Sequence, residues 1–116
     1  MKKKTLCFDL DNVICTTKKN FYKSSKPKKK VIKYINYLYD KGFIIKIYTA
    51  RFMGRNNDNG IKAKHAAQKI TINQLKKWNL KYHKIFFGKP SFDVFVDDKS
   101  FGFKKNWLEN FSKIFK

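Results

Sequence analysis

Several things are scarce in this 116-residue chain, and each scarcity removes a class of protein. Cysteine occurs twice, as Cys7 and Cys15, too few and too poorly spaced for the disulfide framework of a small secreted scaffold. A small apolar role for Cys7 and a reducing, cytoplasmic setting fit them better. No apolar run approaches the ~20 residues of a membrane-spanning helix. Met1-Lys2-Lys3-Lys4 leads into a short strand pattern bearing two acids, which is unlike a secretory signal. Acidic residues are also few: 8 Asp+Glu stand against 28 Lys+Arg, a net charge of +20. That surplus attracts polyanions, and nucleic acid is one such partner. Yet arginine is nearly missing, limited to Arg51 and Arg55, while Asn, Ile and Phe abound and Ala is sparse. The lysines therefore read as the drift of an AT-rich genome plus generic anion attraction, ahead of a dedicated nucleic-acid surface.

The apolar residues that are present suffice for one compact domain over 1–116. Their spacing predicts alternating strands and helices. A first strand covers roughly 5–10, and a polar, Ser/Lys-rich loop or flap follows over 12–25. Pro27 suits the first turn of a helix whose apolar face is Val31, Ile32, Ile35, Leu38 and Tyr39, with Gly42 as its C′ residue. Lys26, Lys28, Lys29 and Lys30 crowd the start of that helix, where cations are unfavourable. A second strand is expected over 43–48, a polar loop over 51–60 and a helix over 61–69. Thr71-Ile72-Asn73-Gln74 has the form of a capping box opening a second short helix with Leu75 and Trp78. Strands are expected over 82–87 and 92–96, and a closing helix carries Trp107, Leu108, Phe111, Ile114 and Phe115. Such alternation implies an α/β fold, a three-layer Rossmann-like arrangement around a parallel sheet of about four strands.

Every predicted strand ends in polar residues: Asp9 and Asp11, Thr49 and Arg51, Lys89, and Asp97 with Asp98. In a parallel sheet these ends share one edge, where open α/β sheets bind ligands. Ionised carboxylates there need a cation or donors, and hard carboxylate oxygens suit Mg²⁺. Carboxylates for a metal, with a hydroxyl and a cation for phosphate oxygens, make an inventory suited to phosphoryl chemistry.

These residues resemble the motifs of the haloacid dehalogenase (HAD) superfamily of phosphohydrolases. Asp9-Leu10-Asp11-Asn12-Val13 is similar to its first motif, Thr49 to its second, Lys89 to its third and Asp97-Asp98 to its fourth, in order, over about residues 5–99. The resemblance implies a HAD-like fold and a Mg²⁺-dependent phosphatase. Asp9 would be the nucleophile that forms an aspartyl-phosphate and Asp11 the general acid and base. Thr49 and Lys89 would hold the phosphoryl group, with Asn12 orienting a neighbour there. The Mg²⁺ site would comprise Asp9, Asp11 (through its backbone carbonyl), Asp97 and Asp98. Arg51 is open between substrate contact and a solvent-facing position. His65 and His83 lack metal-ligand spacing, and Trp78 and Trp107 read as core.

Neither gap between motifs has room for an inserted specificity domain, so a capless member is implied. Thr49-Ala50-Arg51, the polar loop and Gln74-Leu75-x-x-Trp78 resemble small bacterial phosphatases of capsule polysaccharide and surface-sugar biosynthesis, which points to a small phosphorylated substrate such as a sugar phosphate. A fainter likeness is to polynucleotide 3′-phosphatase domains. The rival from another class is a non-catalytic nucleic-acid-binding module built on Lys26–Lys30 with Phe21, Tyr22 and Tyr34. A phosphoacceptor receiver domain is disfavoured, because no Asp ends the third strand.

Overall fold

The computed structural model describes residues 4–19, 21–51, 60–87, 93–96 and 104–115. Strand β1 (Thr5–Asp9) is followed by two short strands, β2 (Cys15–Thr16) and β3 (Lys26–Pro27). Helix α1 (Lys29–Asp40) then leads to β4 (Ile44–Tyr48), and α2 (Gly60–Lys77) to β5 (Lys84–Phe86). A 3-10 turn (Tyr22–Ser24) lies between β2 and β3, and strand β6 (Val94–Val96) and helix α3 (Trp107–Ile114) complete the described elements. Four strands form a parallel sheet in the order β5-β4-β1-β6, flanked by helices. This is the Rossmann-like α/β architecture that the alternating pattern implies.

The order has a functional consequence. From β1 the chain crosses to β4 and then β5, and β6 returns to the other side of β1. Connections therefore diverge from β1, and the carboxyl end of such a strand is where open α/β sheets bind their ligands. The ladder aligns Leu6 with Ile45 and Val94, and Phe8 with Ile47 and Val96. Because strand side chains alternate, these residues share one face. They form a core with Val31, Ile32, Ile35 and Leu38 of α1, with Leu75 and Leu80, and with Phe111 of α3. Phe8 meets Phe111 edge to face at 5.8 Å. Trp78 and Trp107 pack against the same cluster, in keeping with a core role.

Two local expectations change. Pro27 does not open the helix. It lies in β3, paired antiparallel with Cys15, so the 12–25 segment is closed at its base by a small two-stranded ladder. The helix begins two residues later, with Lys28 at its N-cap and no side-chain cap. The box at 71–74 opens no helix either. Residues 60–77 form one continuous helix, and Thr71 is inside it. No Pro or Gly separates 69 from 71, so nothing in the backbone forces a break.

Gly42 behaves as expected. Its φ of 97° is left-handed. Its N–H donates to Tyr39 O at 3.0 Å and the Phe43 N–H donates to Leu38 O at 3.1 Å, which together close the end of α1 as a Schellman motif. Gly42→Ala puts a Cβ in that left-handed position and is expected to cost about 1–2 kcal/mol. Thermal unfolding checks this; an unchanged midpoint would show that the turn relaxes without glycine.

Candidate functional site

Strand β1 delivers Asp9 at its last position, paired in register with Tyr48 of β4. Thr49 follows Tyr48 directly, so Asp9, Asp11 and Thr49 meet at the same carboxyl edge of the sheet. The chain turns sharply after Asp9. Ile14 and Cys15 N–H both donate to Leu10 O, at 3.0 and 3.2 Å, and Asn12 N–H donates to Cys15 O at 2.7 Å. Asn12 takes a left-handed φ of 68°, a conformation that Asn tolerates better than most residues. Its side-chain oxygen accepts the Thr17 N–H at 3.3 Å, and its carbonyl accepts the Lys28 ammonium at 3.0 Å. Asn12 thus holds the loop that carries Asp11, and Lys28 brings a positive charge beside it.

Thr49 is fully buried. Its N–H donates to Phe86 O at 2.9 Å, tying the end of β4 to β5, and its Oγ1 accepts the Arg51 N–H at 3.0 Å. The hydroxyl proton is not used in that bond and can be offered to an anion.

Arg51 is only 2% exposed, so the solvent-facing alternative for it does not hold. Its Nε donates to Asp11 Oδ1 and Oδ2, both at 3.1 Å, and its Nη2 to Oδ1 at 2.8 Å. The remaining directions reach Ser25 Oγ at 3.1 Å, Thr71 Oγ1 at 3.3 Å and Gln74 Oε1 at 2.6 Å. The Tyr22 ring covers the guanidinium at 4.8 Å. A buried charge is tolerated only with such partners, since desolvating it costs several kcal/mol. Thr17 Oγ1 adds a 2.6 Å donation to Asp11 Oδ1 and sits 2.6 Å from Ser25 Oγ. Asp11 is therefore gripped from two sides, while its side chain keeps 21% exposure.

Thr71, Gln74, Ser25, Thr17 and Tyr22 belong to this cluster, and none was singled out as a site residue from the sequence. The sequence signals there were the Thr-x-x-Gln pattern at 71–74 and the Gln74-Leu75-x-x-Trp78 resemblance, and the Thr71 and Gln74 side chains go to Arg51 instead of a helix end. Cys15 is in the same cluster, with Sγ 3.7 Å from Asp11 Oδ1 and 3.8 Å from Arg51 Nη2. Burial pushes its thiol upward, and burial pushes the Cys7 thiol up to about 12. His83 serves packing: its Nδ1 accepts the Ile45 N–H at 3.0 Å and its ring stacks on Tyr39 at 4.6 Å. His65 is exposed. Lys89, Asp97 and Asp98 lie outside the described residues. Among the described residues, no group of three or more His, Cys, Asp or Glu side chains could hold a metal. Asp9 and Asp11 nevertheless supply hard oxygen donors of the kind that Mg²⁺ takes.

Two outcomes follow from this geometry. Asp11→Asn keeps the shape but leaves a buried guanidinium without its counter-charge, at an expected cost of ~3–5 kcal/mol. Lys81→Ala removes an ion pair with Asp40 whose side chains are 49% and 59% exposed, and should cost under about 1 kcal/mol. Urea unfolding of both variants checks the contrast, and equal losses would refute it. In addition, neither thiol should react with Ellman's reagent at pH 8 in the folded protein, because both are buried and stay protonated. Both should react once the chain is unfolded; a fast thiol in the native state would count against the buried cluster.

No protein-family model and no curated protein matches the chain. Two solved structures are similar to it. One is a crystal structure of a structural-genomics target from Vibrio cholerae, with 26% identity and a TM-score of 0.65 over 97% of this chain and 99% of that one. The other is a chain of the Pnkp1/Rnl/Hen1 complex, with 15% identity and a TM-score of 0.51 over 97% of this chain and 33% of that one. This chain thus spans about a third of the second protein's length, and at that identity the likeness concerns the fold alone.

Proposed function

We propose that the protein is a Mg²⁺-dependent phosphomonoester hydrolase of the HAD type that works through Asp9. The observation that carries this reading is the meeting of Asp9, Asp11 and Thr49 at the carboxyl edge of a parallel sheet whose connections diverge from β1.

In this scheme a carboxylate oxygen of Asp9 attacks phosphorus in line with the leaving oxygen. The new bond is Asp9 O–P, the bond broken is P–O to the leaving group, and Asp11 gives the departing oxygen its proton. Asp11 then takes a proton from water, whose oxygen attacks the same phosphorus, releasing phosphate and restoring Asp9. The Thr49 hydroxyl donates to a phosphoryl oxygen, and Lys89 is the matching cation. Mg²⁺ would be held by the Asp9 carboxylate and the Asp11 backbone carbonyl, with Asp97 and Asp98 completing the set. When bound, it neutralises charge between an anionic nucleophile and an anionic phosphate.

The substrate class is a small phosphate monoester, with a sugar phosphate first and a 3′-phosphorylated oligonucleotide second. A purely nucleic-acid-binding role is less well supported. Of its three aromatics, Tyr22 is taken up under Arg51, and Tyr34 packs on Phe111 and donates to Phe115 O. Phe21, at 65% exposure, is the one still available for stacking on bases.

Hydrolysis of an aryl phosphate, with and without Mg²⁺, tests the chemistry. Metal-dependent release is expected for the wild type, with a loss of at least ~10³-fold in Asp9→Asn, since the nucleophile itself is removed. Undiminished release in Asp9→Asn, or no metal-dependent release from the aryl phosphate and from a panel of sugar phosphates and oligonucleotide 3′-phosphates, would overturn the proposal.

A further inference from the structure

We infer that Arg51 is a positioning residue that couples Asp11 to the 17–25 segment, and that it makes no contact with substrate. The inference builds on the phosphohydrolase reading for the role of Asp11, whereas the coupling itself rests on geometry alone.

A guanidinium has five N–H groups in a rigid fork. In Arg51 they are met by Asp11, Ser25, Thr71 and Gln74, all from the protein. With all five met inside the protein, the side chain has no spare donor to present to an anion. An arginine that clamps a phosphate would keep two donors side by side for it.

The grip on the two Asp11 oxygens is one-sided. Asp11 Oδ1 receives Nε, Nη2 and Thr17 Oγ1, whereas Oδ2 receives Nε alone, at 3.1 Å. The carboxylate is held in one rotation, and Oδ2 is the oxygen with a lone pair to spare for a proton. A proton carrier must be held in this way, since small misplacements are costly in rate.

The same guanidinium also holds the loop. Ser25 Oγ and the Tyr22 ring lie on it directly. Gln74 bridges the two, accepting from Nη1 through Oε1 and donating through Nε2 to Tyr22 O at 2.6 Å. Thr17, at the other end of the segment, reaches both Asp11 and Ser25. Movement of the 17–25 segment and rotation of Asp11 therefore cannot be independent. Lysine cannot substitute, because its compact ammonium lacks the fork.

The test uses Arg51→Gln, Arg51→Lys and Gln74→Ala in the full chain, read by aryl phosphate kinetics and by amide hydrogen exchange of Ser24 and Ser25. Arg51→Gln should lower kcat by ~10²-fold with KM within about threefold of wild type, and Arg51→Lys should not rescue it. A raised KM in Arg51→Gln that Arg51→Lys restores would make Arg51 a substrate contact and overturn the inference. Gln74→Ala leaves the Arg51–Asp11 pair in place. It should speed exchange at Ser24 and Ser25 by about tenfold or more, and exchange at the wild-type rate would overturn the coupling. Should the wild type hydrolyse nothing, the phosphohydrolase reading falls, while the exchange measurements still decide the coupling. If Arg51→Gln fails to fold, Gln74→Ala carries the test.

Discussion

The buried guanidinium of Arg51 is the constraint on which the site depends. A positive charge with 2% exposure is stable only if every donor is satisfied, and its acceptors come from three parts of the chain. Asp11 arrives from the turn after β1, Ser25 from the segment before β3, and Thr71 and Gln74 from α2. Satisfying one side chain therefore fixes the relative placement of the sheet edge, the 12–25 segment and the longest described helix. The Tyr22 ring closes the remaining side. The cost of burying the charge and the specificity of the arrangement have the same origin.

The apolar core explains why this cluster sits where it does. Leu6, Phe8, Ile45, Ile47 and Val96 bury one sheet face against α1 and α3, which fixes the strand registers. Register in turn brings Asp9 level with Tyr48, and hence Thr49 to the edge beside the β1 turn. The hydrophobic effect supplies the alignment without any chemical specificity. Thr49, Asn12 and Lys28 then tie the ends together through hydrogen bonds to backbone groups. The excess of positive charge has little part in this. Within the cluster the balance is local, one carboxylate against one guanidinium, while most of the described lysines are exposed.

Much of the fold was legible because its signals are local. Alternation of β-branched runs with helical spacing foretold the parallel sheet and its flanking helices, and Gly42 foretold the end of α1. Local signals also misled. Pro27 suits a first helical turn and equally a two-residue strand, and only pairing with Cys15 distinguishes the two. Thr71 and Gln74 carry the pattern of a capping box, yet the partner they take is a guanidinium 20 and 23 positions away in the chain. Tyr22 and Tyr34 fitted a basic-aromatic surface until packing enclosed them.

What the sequence determined by itself is the set of chemical groups and their order along the chain. Two carboxylates after an apolar strand, then a threonine with an arginine two places on, place polar groups at the ends of two strands of an α/β sheet. That much follows from period and composition, which depend on neighbours only a few residues apart. The tertiary structure decided which of those groups face outward and which face one another. Arg51 could have faced solvent, and it meets Asp11 instead, because α2 and the 17–25 segment close over it and leave its charge only 2% exposed. Such a choice depends on contacts between residues far apart in sequence, and no local pattern encodes them.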